Sequence, residues 1–194
     1  MNLRAALRAA AALPIAEAVI AACIEEESEH DLVFAHAWRE GLDAVDPSRR
    51  SGHFSRVVGE VAESVAEVVL DGLGYRVFWH TAVSGIQGVD LLFLAPDETV
   101  LALEVKGTLR AATIPRLTPS KLRQMSRDWL NRPGNPAMRE WSFEADDLYA
   151  GVMVVDLATR VALMALSADF ESYVPVTCVD QLLEPGSVSS EEPS

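Results

Sequence analysis

The chain has 194 residues, 49% of them apolar, enough to bury one full core; one α/β domain with an added segment is the natural expectation. Its two cysteines, Cys23 and Cys178, fit no paired metal-ligand spacing, which argues against zinc and for free thiols in a reducing cytosol. A net charge of −13 speaks at first against a nucleic-acid partner, and no apolar run approaches the ~20 residues of a membrane helix.

The N-terminus imitates a secretory signal, with Arg4 and Arg8 ahead of an apolar run closing in Ile20-Ala21-Ala22-Cys23. Glu17 and Pro14 interrupt that run, so two short alanine-rich amphipathic helices are the expectation. Residues 1–46 read as a helical extension. It includes an acidic cluster over 25–29 and a short helix over 31–41, and a linker follows over 45–52. His30 and His36 share no helical face, so a metal role is not expected of them.

A long helix is predicted over 53–73, where Val58, Ala62, Val65, Val69 and Leu73 form one stripe that Gly72 and Gly74 end. A strand over 75–80 and a loop over 81–87 lead into residues 88–107, GVDLLFLAPDETVLALEVKG. This stretch reads as two strands joined at Ala95-Pro96-Asp97-Glu98. In the second strand Leu101, Leu103 and Val105 point to one side, and Ala102, Glu104 and Lys106 to the other. The first strand is apolar like one covered on both faces, yet Asp90 stands at its start. A charge there needs a partner or a metal.

Beyond Gly107 a helix is expected over 120–130 on the spacing of Leu122, Met125 and Trp129, broken at 131–136. Strands over 149–156 and 160–166 read as a hairpin, and the tail 184–194 as disordered. The order of elements implies a mixed sheet with helices against both faces.

Two carboxylates from neighbouring strands, Asp90 and Glu104, suit a hard divalent cation that keeps several waters and accepts phosphate oxygens. Lys106 would act beside the attacking water, orienting or deprotonating it. The charge distribution points the same way. Between Glu104 and Arg139 eight basic residues face two acidic ones, leaving that segment at +6 and the remainder of the chain at −19. A basic segment over 106–139 is a candidate phosphate-binding surface.

Gly88-Val89-Asp90, a gap of thirteen residues and Glu104-Val105-Lys106 resemble the core motif of the PD-(D/E)XK, or restriction-endonuclease-like, nuclease superfamily. Upstream, Gly59-Glu60-Val61-Ala62-Glu63 with Ala66, Leu70, Gly74-Tyr75 and Val77 is similar to the helix and first strand of Mrr-like and Holliday-junction-resolvase-like members. The motif's helix glutamate lies eleven residues before the Gly-Tyr pair, which selects Glu63 over Glu60. At about 100° per residue Glu63 also falls at the edge of the apolar stripe, whereas Glu60 points toward the polar face. Gln124-Met125-Ser126 with Trp129 looks like the corresponding helix of restriction-endonuclease-type domains in bacterial polymorphic toxins.

The resemblance covers roughly residues 53–166. It implies a restriction-endonuclease-like mixed sheet flanked by helices, in a domain over 53–183 behind the extension. It also implies a Mg²⁺- or Mn²⁺-dependent nuclease, acting on DNA, which the cysteine usage places in the cytoplasm. The implied site holds the metal on Asp90, Glu104 and the Val105 carbonyl, with Glu63 assisting through water and Gln124 positioning phosphate. His80, at a strand end near Asp90, is a minor candidate, and His53 has no assigned role. The other reading is a catalytically silent module of the same fold, binding a protein through its acidic surface or a nucleic acid within a toxin or defence system.

Overall fold

The computed structural model describes residues 1–27, 52–80, 88–111, 113–115 and 124–178. The expected helix over 31–41, the linker before Gly52, the loop 81–87, the first residues of the 120–130 helix and the tail lie outside the described residues. So do His30 and His36, and the His53 side chain.

The architecture is mixed α/β, built on a seven-stranded mixed sheet with helices on both faces. In chain order the elements begin with α1 (Leu3–Ala9), β1 (Leu13–Pro14), α2 (Glu17–Glu27), α3 (Gly52–Gly72), β2 (Arg76–His80), β3 (Leu91–Leu94) and β4 (Val100–Thr108). Two short helices follow, α4 (Arg127–Leu130) and α5 (Pro136–Trp141), then β5 (Leu148–Asp156), β6 (Val161–Ser167) and β7 (Val174–Pro175). The strand order is β1-β6-β5-β4-β3-β2, with β7 also paired to β6.

The central pairing is parallel, β4 beside β5 from Val100↔Leu148 to Thr108↔Asp156. On either side antiparallel hairpins complete the sheet, β3 against β4 and β5 against β6. Both were legible in their apolar runs and the turns between them. The β5–β6 turn is held by Asp156, whose Oδ1 accepts from the backbone N–H of Ala158 and Thr159 at 3.0 and 3.1 Å.

Strand alternation sorts the core into two layers. Leu101, Leu103 and Val105 of β4 join Met153 and Val155 of β5 under α2 and α3. Ala102 of β4 joins Val152 and Val154 of β5 on the opposite face, with Ala6 and Leu7 of α1 and with Met125, Trp129, Leu130 and Met138. The first 27 residues are thus built into the same sheet and core: β1 pairs β6, and Ile20, Cys23 and Ile24 of α2 are buried beside α3.

Helix α3 is the predicted one shifted by a single residue, and its stripe of Val58, Ala62 and Val65 is buried, with Val69 and Leu73 packed against it. Each fully buried Val or Leu contributes roughly 1.5–3 kcal/mol, so docking rather than intrinsic propensity holds this 21-residue helix. Its end is closed by Gly74, at φ +87°, with Tyr75 N–H donating back to the Leu70 carbonyl at 3.0 Å. Across the interface α3 lies so close to β4 that a Cβ on Gly107 would stand 2.6 Å from the Val58 carbonyl oxygen. That approach brings the helix carrying Glu63 down onto the strand carrying Glu104.

Three elements differ from the expectation. Residues 13–14 form an edge strand within the stretch read as helices; proline is tolerated at such an edge, where its missing N–H breaks no ladder bond. The helix expected over 120–130 is confined, among the described residues, to α4, because Met125 takes a left-handed conformation (φ +63°) and Ser126 caps the first turn through Trp129 N–H. Pro136, read as part of a helix break, instead opens α5 at its first turn.

Candidate active site

Strands β3 and β4 run paired from Leu94↔Val100 to Leu91↔Leu103, after which β4 continues to Thr108 against β5 alone. Asp90 sits at this fork. Its backbone N–H donates to the Leu103 carbonyl at 3.2 Å, and its Oδ2 accepts from Val105 N–H at 2.8 Å. The N–H and C=O of one strand residue leave the same edge, so the Val105 carbonyl faces the same fork.

Alternation along β4 places Glu104 and Lys106 on the face opposite α3. Glu104 is buried, with 1% of its surface exposed. Its Oε1 accepts from both the Lys106 ammonium and the Gln124 side-chain amide. Its Oε2 is equally buried and has no hydrogen-bond partner among the described residues. A buried carboxylate oxygen without a donor is costly, and it marks the position where a further positive group would be stabilised.

The electrostatics agree with that geometry. Burial, then the charges of Glu104 and Glu63, push the Asp90 carboxyl up from 3.8 to about 8, against the opposing effects of Val105 N–H and Lys106. Burial also raises the Glu104 carboxyl, with Lys106 and Gln124 opposing it. Alone, the pair favours holding a proton; a divalent cation would remove that need.

The residue set fits such an ion: two carboxylates at one fork, an orphaned Glu104 oxygen and a backbone carbonyl on the same side. Among the described residues no three His, Cys, Asp or Glu side chains close around one point, so this is no cage of protein ligands. Mg²⁺, which commonly keeps several waters and takes one or two carboxylates, suits an open site of this kind.

Of the two helix carboxylates, Glu63 is the one whose charge acts on both Asp90 and Glu104. Glu60 instead pairs with Arg56 one turn away, at 3.0 Å. Gln124 reaches Glu104 from the turn before α4 rather than from a helix, so its placement depends on the left-handed Met125 beside it. In the basic segment, Arg127 and Arg132 lie over the rings of Phe170 and Trp129, with 5.7 and 4.5 Å to the centroids. Arg116, Lys121 and Arg123 lie outside the described residues.

His80 has a larger place here than sequence reasoning gave it. Its Nε2 lies 3.2 Å from Glu63 Oε2. The signal was the register of the β2–β3 pair, in which His80 stands opposite Leu91, the neighbour of Asp90. A five-residue strand with a bulge between Val77 and Trp79 does not disclose that register in advance.

No family model, no curated protein and no solved structure matches the chain.

Proposed function

We propose that this chain is a divalent-metal-dependent nuclease of restriction-endonuclease-like fold that hydrolyses phosphodiester bonds, in DNA first of all. The observation that carries the reading is Glu104: buried, holding Lys106 and Gln124 on one oxygen and leaving the other, beside Asp90, without a donor among the described residues. The order of elements supports it, with a helix, three strands, a returning glutamine and a further parallel strand around the spaced motif.

Asp90, Glu104 and the Val105 carbonyl are the groups that would hold Mg²⁺ or Mn²⁺, with Glu63 assisting through water. The ion would supply Lewis-acid charge at the scissile phosphate. Lys106, fixed against Glu104, presents its ammonium at the mouth of the fork, where it orients the attacking water and stabilises developing negative charge. Gln124 offers an amide donor beside the same carboxylate, suited to a phosphate oxygen. His80 holds Glu63 from outside. The basic segment 106–139 supplies the contact to the DNA backbone within an otherwise acidic chain, in a cytoplasmic setting.

The test is cleavage of plasmid, linear duplex, single-stranded DNA and RNA with and without Mg²⁺ or Mn²⁺. Metal-dependent cleavage that falls by about 100-fold or more in Lys106→Ala is expected. No cleavage of any substrate, or equal cleavage by Lys106→Ala, refutes the proposal. Calorimetry showing no Mg²⁺ site, together with a stably bound protein partner, would give the molecule to the silent-module reading.

A further inference from the structure

A second concave surface lies beside this site. The segment 131–135 and α5 enclose a pocket of about 520 Å³, within the range of about 300–1,000 Å³ that small ligands occupy. Its polar wall carries two guanidinium groups, Arg132 and Arg139, against one carboxylate, Glu144. The guanidinium carbon of Arg132 lies over the Trp129 ring, 4.5 Å from its centroid. Arg139 makes no side-chain hydrogen bond or ion pair among the described residues. In a chain of net charge −13, a guanidinium left so at a pocket wall is a place for an anion.

The apolar wall is Met138 and the half-buried Phe143. Phe143 meets Phe78 edge-on, with 6.2 Å between ring centroids. The pocket is tied to the catalytic fork through Gly88. A Cβ at Gly88 would stand 3.0 Å from Pro136 Cδ and 3.3 Å from Asn135 Oδ1, so the floor of the pocket rests on the backbone two residues before Asp90. Asn135, fully buried, holds that corner by donating from Nδ2 to the Leu130 carbonyl at 3.2 Å.

An anion site of two arginines beside an aromatic wall, this close to the carboxylate pair, matches a phosphate joined to a flat ring. We infer that the pocket is a nucleotide subsite. It holds one nucleotide of a single-stranded part of the substrate, the phosphate on Arg132 and Arg139 and the base against Phe143. The inference deepens the nuclease reading and rests on it for the polymer that carries the nucleotide. A base inside an intact duplex is stacked and out of reach, so the subsite favours single strands, frayed ends and flaps over blunt duplex.

The test uses the full chain carrying Lys106→Ala, which is expected to bind without cutting, and fluorescence anisotropy with labelled oligo-dT and a blunt duplex of equal length. Oligo-dT is expected to bind the tighter of the two. In the same background Arg139→Gln and Phe143→Leu are each expected to weaken oligo-dT binding about fivefold or more while changing duplex binding less. Arg110→Gln, in the same basic segment but outside the pocket, is expected to weaken both ligands alike.

Equal affinity of the Arg139 and Phe143 variants with their parent, or equal loss on single strand and duplex, overturns the subsite. Competition with dTMP and with inorganic phosphate separates its two halves: dTMP is expected to displace oligo-dT at the lower concentration, and equal displacement overturns the base contact. The two readings fail separately. Wild-type cleavage with an unaffected Arg139→Gln variant removes the subsite alone, whereas pocket-dependent oligo-dT binding without any cleavage removes the nuclease reading alone.

Discussion

Replacing Asp90 with asparagine is expected to stabilise the metal-free protein at neutral to mildly alkaline pH while abolishing cleavage. The substitution keeps an acceptor for Val105 N–H, bonded to Oδ2 at 2.8 Å, and removes the charge that burial and the neighbouring carboxylates oppose. In the folded chain this carboxyl titrates at about 8 rather than 3.8, so across that window the native state retains a proton that the unfolded chain has released. Its contribution is therefore fully present below about pH 4 and lost progressively as pH rises to about 8. The gap corresponds to about 6 kcal/mol at most, and because the carboxyl is only part-buried and screened by water, roughly half of that is expected. For a domain of this size, that is a rise in Tm of about 5–10 °C for Asp90→Asn near pH 8 in EDTA, shrinking as the pH is lowered toward about 6. Mg²⁺ is expected to raise the wild-type melting temperature near pH 8 and to leave the variant unchanged. Identical melting of the two proteins near pH 8 in EDTA, or a difference that does not shrink on acidification, would refute this account of the site.

Further outcomes follow from the helix side of the fork. Glu63→Gln is expected to weaken Mg²⁺ binding about 10-fold or more by calorimetry, whereas Glu60→Gln, which breaks only the exposed pair with Arg56, leaves it unchanged; the opposite ranking would exchange their roles. His80→Ala is expected to weaken Mg²⁺ binding about 10-fold through the loosened Glu63, and His80→Gln, which can still donate to that carboxylate, to recover most of it. Equal losses in the two His80 variants would show that the contact is incidental. Gly107→Ala is expected to cost about 1–3 kcal/mol in urea unfolding, because its Cβ would fall 2.6 Å from the Val58 carbonyl oxygen; an unchanged midpoint would mean that α3 does not approach β4 so closely.

Much of the fold was legible because its patterns are periodic and long. The stripe of α3 and the alternation of β4 fix which residues are buried over many positions, and both lie as expected. The elements that were not legible are short or locally unusual. A two-residue strand has no period to read, and β1 exists because Leu13 and Pro14 reach an edge of β6. The Leu122, Met125 and Trp129 spacing suggests one helix, yet burying Met125 and Trp129 while turning Gln124 onto Glu104 is achieved by a left-handed residue before the helix begins. Tertiary demand overrides local propensity there.

The same distinction separates the parts of the candidate site. Asp90, Glu104 and Lys106 are found from one hairpin because the pleat fixes their faces. Glu63, Gln124 and His80 come from three other segments, and their meeting depends on how closely α3 lies on β4, on the conformation at Met125 and on the register of β2 with β3. Glu104 connects them: its Oε1 is already shared by Lys106 and Gln124, so a positive group recruited to the fork has the orphaned Oε2 to approach, on a carboxylate that also feels the charge of Glu63. A hydrophobic replacement for that carboxylate would relieve its burial cost, so keeping it at 1% exposure is a loss of stability that Lys106 and Gln124 offset at one oxygen only, among the described residues.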